Sequence, residues 1–70
     1  MKNYLKKGDL RLGDFFYSAT LEGLTIIEIK QGGHILFKGR FMDLAIKYYP
    51  LQIKYIYLGD NTLFIDVFSD

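Results

Sequence analysis

The stretch "QIKYIYLGDNTLFIDVF", residues 52–68, sets two apolar runs on either side of a polar turn. Such a pattern predicts a β-hairpin, with strands near 52–58 and 62–68 joined at "GDNT". A two-residue loop at Asp60-Asn61 and a four-residue loop over 59–62 both place Leu58 opposite Leu63. The assignment of faces is therefore independent of which of these turns forms. Ile56, Leu58, Leu63, Ile65 and Val67 share one face, with Lys54 at its end. Ile53, Tyr55, Tyr57, Phe64, Asp66 and Phe68 share the other. A three-residue loop with a bulge would undo this sorting. One side is thus aliphatic and suited to a core, while the opposite side is aromatic and carries a single carboxylate.

Upstream, "LTIIEIK" (residues 24–30) and "HILFKGR" (residues 34–40) predict a first hairpin broken by "QGG". With Lys30 opposite Ile35, one face carries Ile27, Ile29 and Leu36. The other carries Ile26, Glu28, Lys30, Ile35 and Phe37. Residues 14–22 read as a helix with Asp14 as N-cap, Phe15, Phe16 and Ala19 inward, and Gly23 at its end. "MDLAIKYYP" predicts a second short helix over 43–49, capped by Asp43 and stopped by Pro50. The expected fold is α+β: two β-hairpins forming a four- to five-stranded antiparallel sheet, two short helices, and a brief strand at Leu10–Leu12 if a fifth forms. A small SH3-like β-barrel is the alternative, because strong twist and Gly39 would permit closure.

The chain is one small domain of 70 residues, with residues 1–9 expected as a flexible basic N-terminus. Half of it is apolar, too much for a disordered segment. There is no cysteine, so disulfides, thiolate metal sites and cysteine nucleophiles are excluded. His34 alone builds no histidine metal site, and no metal or other cofactor is expected. Oligomerisation or docking to a partner is then the staple left to so short a chain. "MKNYLKKGDLR" lacks the apolar core of a signal peptide, and no run reaches the roughly 18 apolar residues of a membrane span. The expected location is cytoplasmic.

Catalysis finds little to work with. Ser18 falls inside a predicted helix, Ser69 lies next to the C-terminus and His34 sits in a turn, so no nucleophile is marked and a non-enzyme is expected. "QGGH" lacks the continuation of a phosphate-binding loop and reads as a hairpin turn. Three roles remain open for the aromatic face. Tyr48, Tyr49 and the basic N-terminus can lie over it as part of the protein's own packing. It can be a surface for a partner or for a second copy, since Tyr and Phe are enriched at interfaces. It can also be a stacking platform for single-stranded nucleic acid, aided by Lys2, Lys6, Lys7, Arg11 and Lys54. A net charge of +1 and Asp66 in the middle of the face weigh against the last. Asp66 among tyrosines is suited to orienting an Arg or Lys of a protein partner.

"GDFFYSA…LTIIEIKQGGHILFKGRFMDL…IKYIYLGDNTLFIDV" resembles small proteins from phages and mobile elements of low-GC Gram-positive bacteria. The likeness runs over residues 12–68 and rests on the hydrophobic pattern, Gly39 and Asp43. That set includes inhibitors of bacterial immunity such as anti-CRISPR proteins. The resemblance implies a binding protein acting in the host cytoplasm on a host protein or protein–nucleic-acid complex, and it assigns no site residues. The partner-binding residues expected from the face itself are Tyr55, Tyr57, Phe64, Asp66 and Phe68, with Tyr48 and Tyr49 at the rim. Two other classes stand beside this one. They are a small single-stranded nucleic-acid-binding module and a self-associating protein whose oligomer sequesters a small ligand.

Overall fold

The first hairpin forms where the alternation and the turn glycines coincide. In the computed structural model, which describes residues 10–69, β1 spans Ile26–Gln31 and β2 spans His34–Arg40. Gly32 and Gly33 both adopt positive φ, 57° and 87°, a conformation that glycine takes without strain in a tight turn. β3 (Ile53–Gly59) and β4 (Thr62–Val67) form the second hairpin around Asp60-Asn61, with Leu58 opposite Leu63 as expected.

The four strands form one open sheet in the order β2-β1-β4-β3. Each hairpin is antiparallel, but the two are joined through a parallel β1–β4 pair, Ile27 facing Leu63 and Ile29 facing Ile65. The sheet is therefore mixed, where an antiparallel one was expected. The physical reason lies in residues 41–52, which link β2 at one edge to β3 at the other. A stretch of that length can recross the sheet and bring two hairpins together in parallel. β2 and β3 remain unpaired with each other, so the sheet does not close into a barrel. The brief strand expected at Leu10–Leu12 is reduced to a bridge, Arg11 with Gln52. The Ile53 N–H donates to the Leu10 carbonyl (2.7 Å) and the Leu12 N–H to the Leu51 carbonyl (2.9 Å).

The helix α1 is shorter and earlier than its sequence suggests, Leu12–Ser18. Arg11 occupies the N-cap position, and Asp14 stands one turn in, its carboxylate accepting the Arg11 N–H at 3.3 Å. Ser18 Oγ bonds back to the Asp14 and Phe15 carbonyls, and Ala19 is already extended. Gly23 is not the helix end. Its carbonyl and that of Thr25 accept the N–H groups of Met42 (3.0 Å) and Phe41 (2.7 Å), which ties this stretch to the crossover. The expected helix over 43–49 is replaced by two 3-10 turns, Phe41–Asp43 and Ile46–Tyr48, separated by extended Leu44 and Ala45. Two short turns aim Phe41, Leu44, Tyr48 and Tyr49 at the sheet, which outweighs the weak helix propensity of this segment. Asp43 caps nothing and pairs with Arg40 Nε at 3.0 Å.

All of this packs on one face. Leu12 and Phe16 from α1 and Leu44 from the crossover cover Ile27, Ile29, Ile53, Leu63, Ile65 and Val67. Two bulges correct the expected face assignments. In β3, Ile53 faces Val67 and Tyr55 faces Asp66, so Lys54 is the extra residue and Ile53 turns into the core, where it is fully buried. Burying Ile53 instead of Lys54 is worth roughly 1.5–3 kcal/mol. In β2 the extra residue is Leu36, which brings Phe37 opposite Ile29 and onto the core side against Tyr48.

Candidate binding face of the sheet

The opposite face of the sheet is built by alternation from all four strands. β3 supplies Tyr55 and Tyr57, β4 supplies Thr62, Phe64 and Asp66, β1 supplies Ile26, Glu28 and Lys30, and β2 supplies Lys38. Helix α1 and the crossover lie on the other side, against the core. Tyr57 and Phe64 are directly opposed across the hairpin and stack, ring centroids 4.9 Å apart and 14° from parallel. Tyr55 continues the row at 6.1 Å from Tyr57. Gly59 completes it: a Cβ there would lie 3.2 Å from Phe64 Cε2, so the absent side chain leaves room for the ring. Tyr57 is 52% exposed and Tyr55 36% exposed, an aromatic row open to contact.

Polar groups frame the row. Hydrogen bonding to Asp66, together with the charge of that carboxylate, pushes the Tyr55 phenol above its ordinary value, so it stays protonated. On the parallel neighbour, Glu28 is only 6% exposed and sits between Lys30 (3.5 Å) and Lys38 (3.7 Å). Both lysines are thereby committed to Glu28, and Asp66 keeps Tyr55 as its neighbour across the hairpin. Lys54, displaced by its bulge, lines a hollow of about 210 Å³ with Asp66, Phe68 and the Gly32-Gly33 turn.

The aromatic set expected from the sequence divides in two. Tyr55, Tyr57, Phe64 and Asp66 converge on the open face. Tyr48 and Tyr49 do not rim it. The Tyr48 hydroxyl donates to the Leu36 carbonyl (3.1 Å) and its ring meets Phe37, while Tyr49 packs on Phe16 at 5.9 Å. Both belong to the core side, so the aromatic face is not covered by the protein's own crossover. Phe68 lies beyond the end of β4, its N–H donating to the Gln52 carbonyl at 2.9 Å and its carbonyl accepting from Gln31 Nε2 at 3.0 Å. It borders the hollow and is not part of the aromatic row. Arg11 is a latch to the crossover, Nη1 donating to the Pro50 carbonyl at 2.6 Å, and Lys2, Lys6 and Lys7 lie outside the described residues.

The mixed face expected for the first hairpin held Ile26, Glu28, Lys30, Ile35 and Phe37, separate from the aromatic one; the bulge at Leu36 turns Phe37 inward and sets Lys38 opposite Glu28 instead. The parallel β1–β4 pairing joins the two faces, and Glu28 becomes the register partner of Phe64 and Lys30 that of Asp66. Among the described residues no cluster of His, Asp and Glu converges as metal ligands would, and no helix is long and apolar enough to cross a membrane. Comparison of the chain with protein-family models, with curated proteins and with solved structures returned no match.

Proposed function

We propose that this chain is a non-enzymatic binding protein that docks onto a protein partner through the open face of its sheet. The observation that carries this reading is the row Tyr55–Tyr57–Phe64, stacked and exposed on the side of the sheet away from α1 and the crossover. Aromatic rows of this kind supply rigid contact area at low entropic cost, and they concentrate binding energy at interfaces. Asp66 beside the row offers a carboxylate to an arginine or lysine of the partner. Lys30, Lys38 and Lys54 against Glu28 and Asp66 leave this face close to neutral, which suits a protein surface better than a phosphate backbone.

The narrower reading names the partner. By its resemblance to small phage proteins, the chain acts as an inhibitor that blocks a host defence complex, anti-CRISPR-like in mode. The test is capture of the purified defence complex by wild type and by a Tyr57→Ala/Asp66→Ala variant, with melting curves run alongside. Loss of capture in a folded variant is expected. Equal capture by the folded variant would sink the face as the docking surface.

The exposed stack of Tyr55, Tyr57 and Phe64 also suits one second reading, a small module that stacks the bases of single-stranded nucleic acid on this row. On that reading, affinity for an oligonucleotide falls steeply as salt rises. Absence of binding at low salt removes it.

A further inference from the structure

The open face is ordered across the strands as well as along them. From β2 to β3, Lys38, Glu28, Phe64 and Tyr57 lie in one row of the register. Lys30, Asp66 and Tyr55 lie in the next. In both rows a carboxylate stands between the lysine and the rings. Glu28 is the more costly of the two to place. It sits on a central strand at 6% exposure, where exchanging an ion pair for apolar groups is often neutral or stabilising. Stability alone therefore does not account for the charge. The carboxylate takes both lysines, Lys30 at 3.5 Å and Lys38 at 3.7 Å, and their own side chains are 42% and 62% exposed.

Stacked rings hold single-stranded nucleic acid when cations beside them follow its phosphates. Here the rings and two exposed cations share one face, but the cations lie on the far side of the carboxylates. We propose that Glu28 is a specificity-determining residue of this face. It holds Lys30 and Lys38 away from an incoming phosphate and so reserves the aromatic row for a partner that is not a polyanion. Discrimination of this kind comes from a repulsive element set against the wrong partner, not from added contact with the right one. Glu28 cancels one of the two positive charges and sets its own beside Phe64, where the phosphate chain of a stacked base would pass on its way to the lysines. Asp66 repeats the arrangement beside Tyr55. The inference rests on the row as a binding surface. Partner capture with the Tyr57→Ala/Asp66→Ala variant judges that reading, whereas oligonucleotide binding judges Glu28 itself.

Fluorescence anisotropy of a labelled oligothymidylate about 12 nucleotides long, titrated with the full chain over a range of salt, tests this. Wild type is expected to bind weakly and with a shallow salt dependence. Glu28→Gln should bind about tenfold tighter at low salt, its logarithmic salt slope steeper by about one. Glu28→Met, which also removes the charge, is measured in parallel and should behave alike, with melting curves showing which variants are folded. Adding Lys30→Met/Lys38→Met, or Tyr57→Ala, to Glu28→Gln should abolish the gain. A wild type as tight as Glu28→Gln overturns the proposal, and so does a folded charge-removing variant that gains nothing. A gain that survives loss of the lysines or of Tyr57 overturns it as well.

Discussion

Tyr55 is the residue at which the open face is most directly readable by titration. Its phenol is raised from 10.0 by the hydrogen bond to Asp66 and by that carboxylate's charge. Because the folded state holds this proton more tightly, the associated stability is complete below the ordinary tyrosine value and declines as pH rises through the folded one. Asp66→Asn removes the charge and should lower the Tyr55 titration midpoint, followed by NMR of the ring carbons. An unchanged midpoint would mean that Asp66 does not govern Tyr55. A second residue-scale prediction concerns Gly33, whose φ is 87° and where an added Cβ would meet no other part of the fold within 4 Å. Gly33→Ala should cost about 1–2 kcal/mol in urea unfolding, from backbone strain alone, and Gly33→Asn less.

At the scale of elements, the hairpins were legible because alternation and turn chemistry agreed, down to Leu58 opposite Leu63. What escaped the sequence were features decided by competition for the core. Lys54 and Leu36 are bulged so that Ile53 and Phe37 can turn inward, and no local pattern announces either. The helix expected over 43–49 gave way to 3-10 turns because Leu44, Tyr48 and Tyr49 all needed to reach the sheet. The four aromatic-face residues were visible in advance, whereas the roles of Tyr48 and Tyr49 were not, since those depend on which side the crossover takes. If the crossover is held as described, Tyr48→Phe loses the bond to the Leu36 carbonyl and should destabilise the protein by about 1 kcal/mol. Removing both partners of Glu28, as in Lys30→Met/Lys38→Met, strands a shielded carboxylate. The expected cost is about 1–3 kcal/mol at neutral pH, recovered in part by adding Glu28→Gln. A double-mutant cycle in thermal denaturation measures it.

For the molecule as a whole, one core layer on one side of the sheet carries the fold. Ile65, 1% exposed, sits at its centre, and Ile65→Ala should cost about 2–5 kcal/mol, enough to unfold much of a domain this small. The same arrangement leaves the second side available for binding, and its composition follows from a single topological fact, the parallel β1–β4 pair. That pair puts Glu28 beside Phe64 and Lys30 beside Asp66, and nothing in either hairpin alone implies it. The decisive measurement is therefore the set of inter-strand NOEs at the centre of the sheet. Contacts linking Ile27 with Leu63 and Ile29 with Ile65 in a parallel register are expected. Contacts joining β2 to β3, or an antiparallel centre, would contradict both the fold and the composite binding face.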